Sequence, residues 1–196
     1  MAKNYHIANT MGALGDLQKG NLWVVTFGND TGISGLDGLT VRAQTAKIPG
    51  RSLPVLTSKF MGMTANYAGT ENMDNKTLEI NFDEHDDQKV YKLLNDWFNL
   101  MFDSVNSSMG HGEFSSKLGV RGDGRYSTNI TLGMTDLASN PLEKAIVFHN
   151  AFITNIGDGS LSYDSSSKIT FSATFQYDWF EIKNANSGDI DVPKAD

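Results

Sequence analysis

The stretch ITFSATFQYDWF, from Ile169 to Phe180, constrains the fold more than any other part of the chain. Ile169, Phe171, Ala173, Phe175, Tyr177 and Trp179 alternate with Thr170, Ser172, Thr174, Gln176 and Asp178. Side chains of a strand point to opposite faces with period two, so the pattern predicts a long strand with one buried and one wet face. Twelve residues at roughly 3.3 Å each span about 40 Å, well beyond an ordinary strand. Its wet face carries small hydroxyls and an amide where a simple solvent face would carry Lys and Glu.

Other segments agree with a sheet. NLWVVTFG (Asn21 to Gly28) is apolar on both faces and reads as a strand covered on both. Leu39 to Ile48 alternates again, and Pro49 and Pro54 then interrupt ladder bonding. VLTSKFMGMTANY (Val55 to Tyr67) reads as a hairpin turning near Gly62, and TLEINF (Thr77 to Phe82) as a short half-buried strand. Strands are also expected at Tyr126 to Met134 and at Lys144 to Ile156, the latter broken near His149–Asn150.

The period changes once. Val90, Leu93, Leu94, Trp97 and Met101 recur at helical spacing, predicting one packed helix at about 86–103. Asp83, Glu84, Asp86 and Asp87 crowd its start, where carboxylates accept from free N–H groups. The expected fold is mainly antiparallel β, a sandwich or barrel-like sheet with one α-helix on it. The organisation expected is a polar arm at 1–20, one domain at 21–182 with a variable loop at 104–125, and a polar tail at 183–196.

Chemistry is sparse. His6, His85, His111 and His149 have no HxH or HExxH spacing, and with no cysteine there is no thiolate, so no metal site is expected. There is no nucleophile elbow, P-loop or GxGxxG, so no catalytic residue and no cofactor are expected. No signal-peptide pattern opens the chain, and no run of about eighteen apolar residues predicts a membrane span. A net charge of −7 argues against tight binding to nucleic-acid phosphates. Tyr177, Asp178, Trp179 and Phe180 leave open a sugar-stacking platform in a monomeric carbohydrate-binding sandwich, which requires its aromatics exposed together on one face.

Three segments in order carry a family resemblance. GDLQKGNLWVVTF (Gly15 to Phe27) resembles the arm and first strand of tail tube proteins of contractile-tailed bacteriophages. TAKIPGRSLPVLTSKFMGMTANYAGTENMDNKTLEINFDEHDDQKVYKLLNDWFNLM (Thr45 to Met101) resembles the family's middle, with its proline-containing loop, its hairpin and Gly69, and its acidic helix start. AFITNIGDGSLSYDSSSKITFSATFQYDWFEI (Ala151 to Ile182) resembles its end.

The resemblance implies subunits in hexameric rings whose inner strands close into a barrel. The rings stack as the tube inside a contractile tail and conduct DNA during ejection. It implies as partners further copies of the chain, sheath subunits outside, a baseplate initiator and a tail terminator at the ends, and duplex DNA in passage. The place implied is the virion, after assembly in the host cytoplasm. Thr170, Ser172, Thr174, Gln176 and Asp178 are then expected to face the lumen. Leu53, Val55, Leu56, Phe60 and Met61 are expected at contacts between rings or subunits. A tube-initiating baseplate protein and a bacteriocin or secretion tube subunit are related readings.

Overall fold

A computed structural model describes residues 20–28, 34–70, 76–103, 108–109, 125–135, 141–159 and 168–184. The arm up to residue 19, most of loop 104–125 and the tail from 185 onward lie outside the described residues. The elements are β1 (Trp23–Phe27), a helical turn α1 (Asp37–Thr40), β2 (Ala43–Ala46), β3 (Val55–Phe60), β4 (Met63–Ala68) and β5 (Thr77–Asp83). They continue with α2 (Lys89–Met101), β6 (Phe102–Asp103), β7 (Ser108–Met109), β8 (Thr128–Thr135), β9 (Pro141–Ile156), β10 (Thr170–Gln176) and β11 (Trp179–Asn184).

One antiparallel sheet runs β1-β8-β9-β10-β5-β2, with β11 also on β9. The long β9 is what allows this. Its first half pairs with β8 on one side and β11 on the other, and its last residues pair with β10. Between the halves Asn150 takes φ 53, a left-handed conformation that Asn tolerates better than most residues. Its backbone N–H donates to Asn129 Oδ1 at 3.3 Å and its amide to Asp178 Oδ2 at 3.0 Å. The interruption expected at His149–Asn150 is therefore a bend inside a continuous strand.

The bend turns the two halves of the sheet face to face. Phe27 of β1 meets Phe82 of β5 at 6.3 Å, Phe175 of β10 at 6.0 Å and Trp97 of α2 at 6.2 Å. Trp97 is fully buried and donates its indole N–H to the Tyr126 carbonyl at 2.7 Å. Val90, Leu94 and Trp97 form the buried stripe of α2 at helical spacing. Each such burial is worth about 1.5–3 kcal/mol, so the helix closes the core. Gln88 supplies no cap to α2. Glu84 does so from outside, accepting from Val90 N at 3.2 Å and Tyr91 N at 2.8 Å.

Three expectations are corrected. The opening stretch is two strands, because Tyr177 and Asp178 leave the ladder between β10 and β11. The faces exchange across this break: Phe180 packs on the core, and Trp179 is 45% exposed instead of buried. Leu39 to Ile48 is no continuous strand. Leu39 lies in the α1 turn, fully buried, whereas Val41 is 88% exposed, so they do not share a face. β1 ends the sheet, pairing only with β8, and Val24 and Thr26 are half-buried rather than covered.

Candidate assembly surfaces

Two surfaces hold the residues that the sequence singles out. The first is the polar face of β10 and its neighbours. Opposed residues of an antiparallel pair share a face. Thr170, Ser172, Thr174 and Gln176 stand opposite Asp83, Asn81, Glu79 and Thr77 of β5. On the next strand Asn81 donates its amide to Thr45 Oγ1 at 2.8 Å. On the other side Thr174 stands opposite Asn155, and β9 inserts one extra residue beside it. That residue, Thr154, donates its hydroxyl to the Thr174 carbonyl at 3.0 Å.

The result is a continuous wall of hydroxyls and amides. Its acids are matched by cations: Lys47 bonds Glu79, and Lys168 lies 3.0 Å from Asp83 and 3.1 Å from Gln44. The face thus carries compensated charge. Asp178 stands apart from this row, in the corner between β10 and β11. Its carboxylate accepts from Asn150, its backbone N–H donates to the His149 carbonyl at 3.0 Å, and its carbonyl accepts from Lys76. The β5 contribution was not singled out from sequence, although the alternation in TLEINFD already placed Thr77, Glu79, Asn81 and Asp83 opposite Leu78, Ile80 and Phe82.

The second surface is the hairpin β3–β4, paired in register from Val55↔Ala68 to Phe60↔Met63. A two-residue turn joins them, with Met61 at φ 47 and Gly62 at φ 79. Positive φ at both positions is the type I′ geometry that matches strand twist. Every residue from 55 to 68 is exposed, and none belongs to the core. Phe60 and Met61 are 70% and 86% exposed, and Leu53, Val55 and Leu56 are exposed beside them. The preceding loop is tied to the body through Arg51, whose guanidinium lies 5.8 Å over the Phe180 ring.

The aromatics of residues 177–180 make no sugar platform. Tyr177 is buried against Phe148, with ring centres 4.9 Å apart, while Trp179 faces outward and stacks on His149 at 4.9 Å. His149 Nε2 also bonds Glu181 at 2.6 Å. The Glu181 carboxyl is held below its ordinary range by Lys183 and then by His149. Among the described residues no three acidic or histidine side chains group to hold a metal ion. No described helix is long and apolar enough to cross a membrane.

The geometry defines a class: an antiparallel β subunit with one polar sheet face and an apolar hairpin standing clear of its own core. The model of the phage tail tube protein family matches residues 17–183, and the chain belongs to that family. It is a structural tail-tube protein, not an enzyme.

Solved assemblies share the fold. The tube-terminating cap of the anti-feeding prophage superposes with TM-score 0.61 at 13% identity, over 87% of this chain and 93% of that one. The sheath–tube complex of PVC, an extracellular contractile injection system, superposes in its extended state with TM-score 0.59 at 13% identity, over 89% and 97%. The extended-state sheath/tube terminator of PVC gives 0.61 at 14% identity, over 86% and 97%. No curated protein matches the chain in sequence.

Proposed function

We propose that this chain is the major tail tube subunit of a contractile tail. Copies form hexameric rings, and the rings stack into the inner tube through which DNA leaves the particle. Sheath subunits surround it, a baseplate initiator starts it and a terminator ends it, and the virion is assembled in the host cytoplasm. The observation that carries this reading is the β3–β4 hairpin, apolar and wholly exposed in a single chain. Contiguous apolar surface of this kind marks a place that another protein covers.

The polar wall supports the reading from the other side. Thr170, Ser172, Thr174 and Gln176, with Thr77, Glu79 and Asn81, offer a lumen lining with no run of free cations to hold phosphates in a salt-dependent grip. Asp178 borders that lining at its corner.

Negative-stain electron microscopy of the purified chain across concentration tests this. Hollow tubes of open-ended length are expected. The structural likeness to a cap and a terminator favours a second reading, in which the chain closes a tube rather than extending it. Single rings that arrest preformed tubes would establish that reading. Monomers at every concentration, with or without a baseplate fraction, would sink both.

A further inference from the structure

We propose that Asp158–Gly159 is a covalent modification site, where the chain isomerises spontaneously to isoaspartate in the wall of a cavity between α2 and the strands β9 and β10. The change needs no assembly partner, so it holds whether or not the chain forms tubes.

An aspartate followed by glycine is the step most open to this chemistry, because no Cβ hinders the glycine nitrogen. That nitrogen attacks the aspartate Cγ, a water leaves and a cyclic imide closes. Water then adds back at either carbonyl. Addition at the former side-chain carbonyl restores aspartate. Addition at the main-chain carbonyl leaves isoaspartate, in which the backbone runs through the former side chain. Atoms and charge return to their starting values, and nothing is oxidised or reduced.

The sequence has three such steps, at Asp37, Asp123 and Asp158. Asp123 lies outside the described residues. The other two are placed oppositely. Asp37–Gly38 opens the α1 turn, where the Gly38 N–H donates to the Gly35 carbonyl at 3.0 Å. An amide held this way must be released by local opening before its nitrogen can attack. Asp158 and Gly159 follow β9, beyond its last ladder partner on β10, and both are exposed. The last tie comes one residue earlier, where the Gly157 N–H donates to the Ser172 carbonyl at 2.7 Å. Among the described residues nothing accepts from the Gly159 N–H and nothing pairs with the Asp158 carboxylate.

The neighbourhood registers the change. Asp158 and Gly159 line the cavity of about 1080 Å³ together with Tyr91, Phe98, Ile156 and Phe171. Tyr91 and Phe171 lie with ring centres 5.2 Å apart. The chain runs flush against β10 here: a Cβ at 159 would stand 2.5 Å from Phe171 Cε1, and one at 157 would overlap Ser172 Oγ. Isoaspartate adds one carbon to the main chain between these two glycines. Interiors packed this closely do not absorb an extra methylene without a shift, so Gly159 is displaced from the Phe171 ring.

The full chain is aged at neutral pH below its unfolding temperature, with a parallel sample in urea. Isoaspartate is mapped on protease fragments and counted by an isoaspartyl methyltransferase with a labelled sulfonium methyl donor. In the folded chain it is expected to accumulate several-fold faster at 158 than at 37, and unfolding should remove most of that difference. Equal rates in the folded chain, or none at 158, would overturn the proposal. A difference undiminished in urea would trace it to flanking residues and overturn the structural assignment. The urea midpoint should fall as the isoaspartyl fraction rises, whereas Asp158→Glu, whose longer side chain closes the imide poorly, should hold its midpoint through the same ageing. Equal loss in both would overturn the displacement at Phe171.

Discussion

Trp97 is the residue on which the described fold converges, and replacing it with Phe measures how firmly α2 closes the core. The side chain is fully buried, its indole N–H donates to the Tyr126 carbonyl at 2.7 Å, and its ring lies 5.3 Å from Phe175. Phe keeps most of the ring contacts and cannot donate. A carbonyl left without its donor in this part-buried place costs about 1–3 kcal/mol. The two ring carbons lost add about 1.6 kcal/mol, at ~0.8 kcal/mol per buried CH₂-sized group. The expected loss is therefore about 2.5–4.5 kcal/mol. With a urea slope of ~3 kcal/mol/M for a chain of this size, the midpoint falls by about 1 M. Far-UV circular dichroism at concentrations below assembly reads it. Trp179→Phe is the internal control. That ring is 45% exposed and only stacks on His149, so its change is expected below about 1 kcal/mol. Equal shifts for the two variants, with unchanged slopes, would refute the argument that the Trp97 bond and burial set the difference.

Acid should loosen the start of α2 through Asp87. Arg42 donates to both its oxygens at 2.7 Å, and this bond, helped by Lys89, holds the carboxyl well below the usual carboxylate range. A depressed folded value means that the unfolded chain takes up the proton first. The contribution is complete above the ordinary value near pH 4 and fades as pH falls further. Urea midpoints from pH 7 to pH 3 should fall more steeply for the native chain than for Asp87→Asn, and parallel curves would exclude the pair as the cause. Met61→Gly should separate folding from assembly: relief of positive φ steadies the hairpin, while loss of the side chain raises the concentration needed for tubes. Unchanged assembly, read by sedimentation, would remove the tip from the contact.

The parts readable in the sequence were those set by side-chain period. The alternation of β5 and β10, the 3.6 spacing of α2 and the turn at Gly62 are each produced by a local rule that tertiary packing does not oppose. The hidden parts depend on one residue's backbone and its distant partners. The sequence marks an interruption at His149–Asn150 but not that it is a bend within one strand, because the bend is held by Asn129 and Asp178, 21 and 28 residues away from Asn150. That same corner takes Tyr177 and Asp178 out of the ladder and reverses the faces of Trp179 and Phe180. A strict period-two reading cannot register this, since the letters go on alternating through Tyr177 and Asp178 while the side chains change sides. The cavity between α2 and the strands β9 and β10, lined by Tyr91, Phe98, Ile156 and Phe171, is equally hidden, being assembled from elements far apart in the chain.

An exposed apolar hairpin is an aggregation hazard, and the rest of the molecule offsets it. Besides β1, two strands end the main sheet, and both are blunted. β2 has four residues and a register shift, and β11 carries Glu181 and Lys183. Short, irregular and charged edges resist strand-to-strand aggregation. The net charge of −7 adds a general repulsion between copies. Against that background the hairpin carries Lys59 and no acid, so its charge favours approach to an acidic neighbour. An isolated two-stranded hairpin is only marginally stable in water. On the proposed tube reading, the contact that covers this hairpin therefore also completes its folding. Assembly on such terms is costly to begin and favourable to extend, the behaviour proposed for a subunit that polymerises from an initiator.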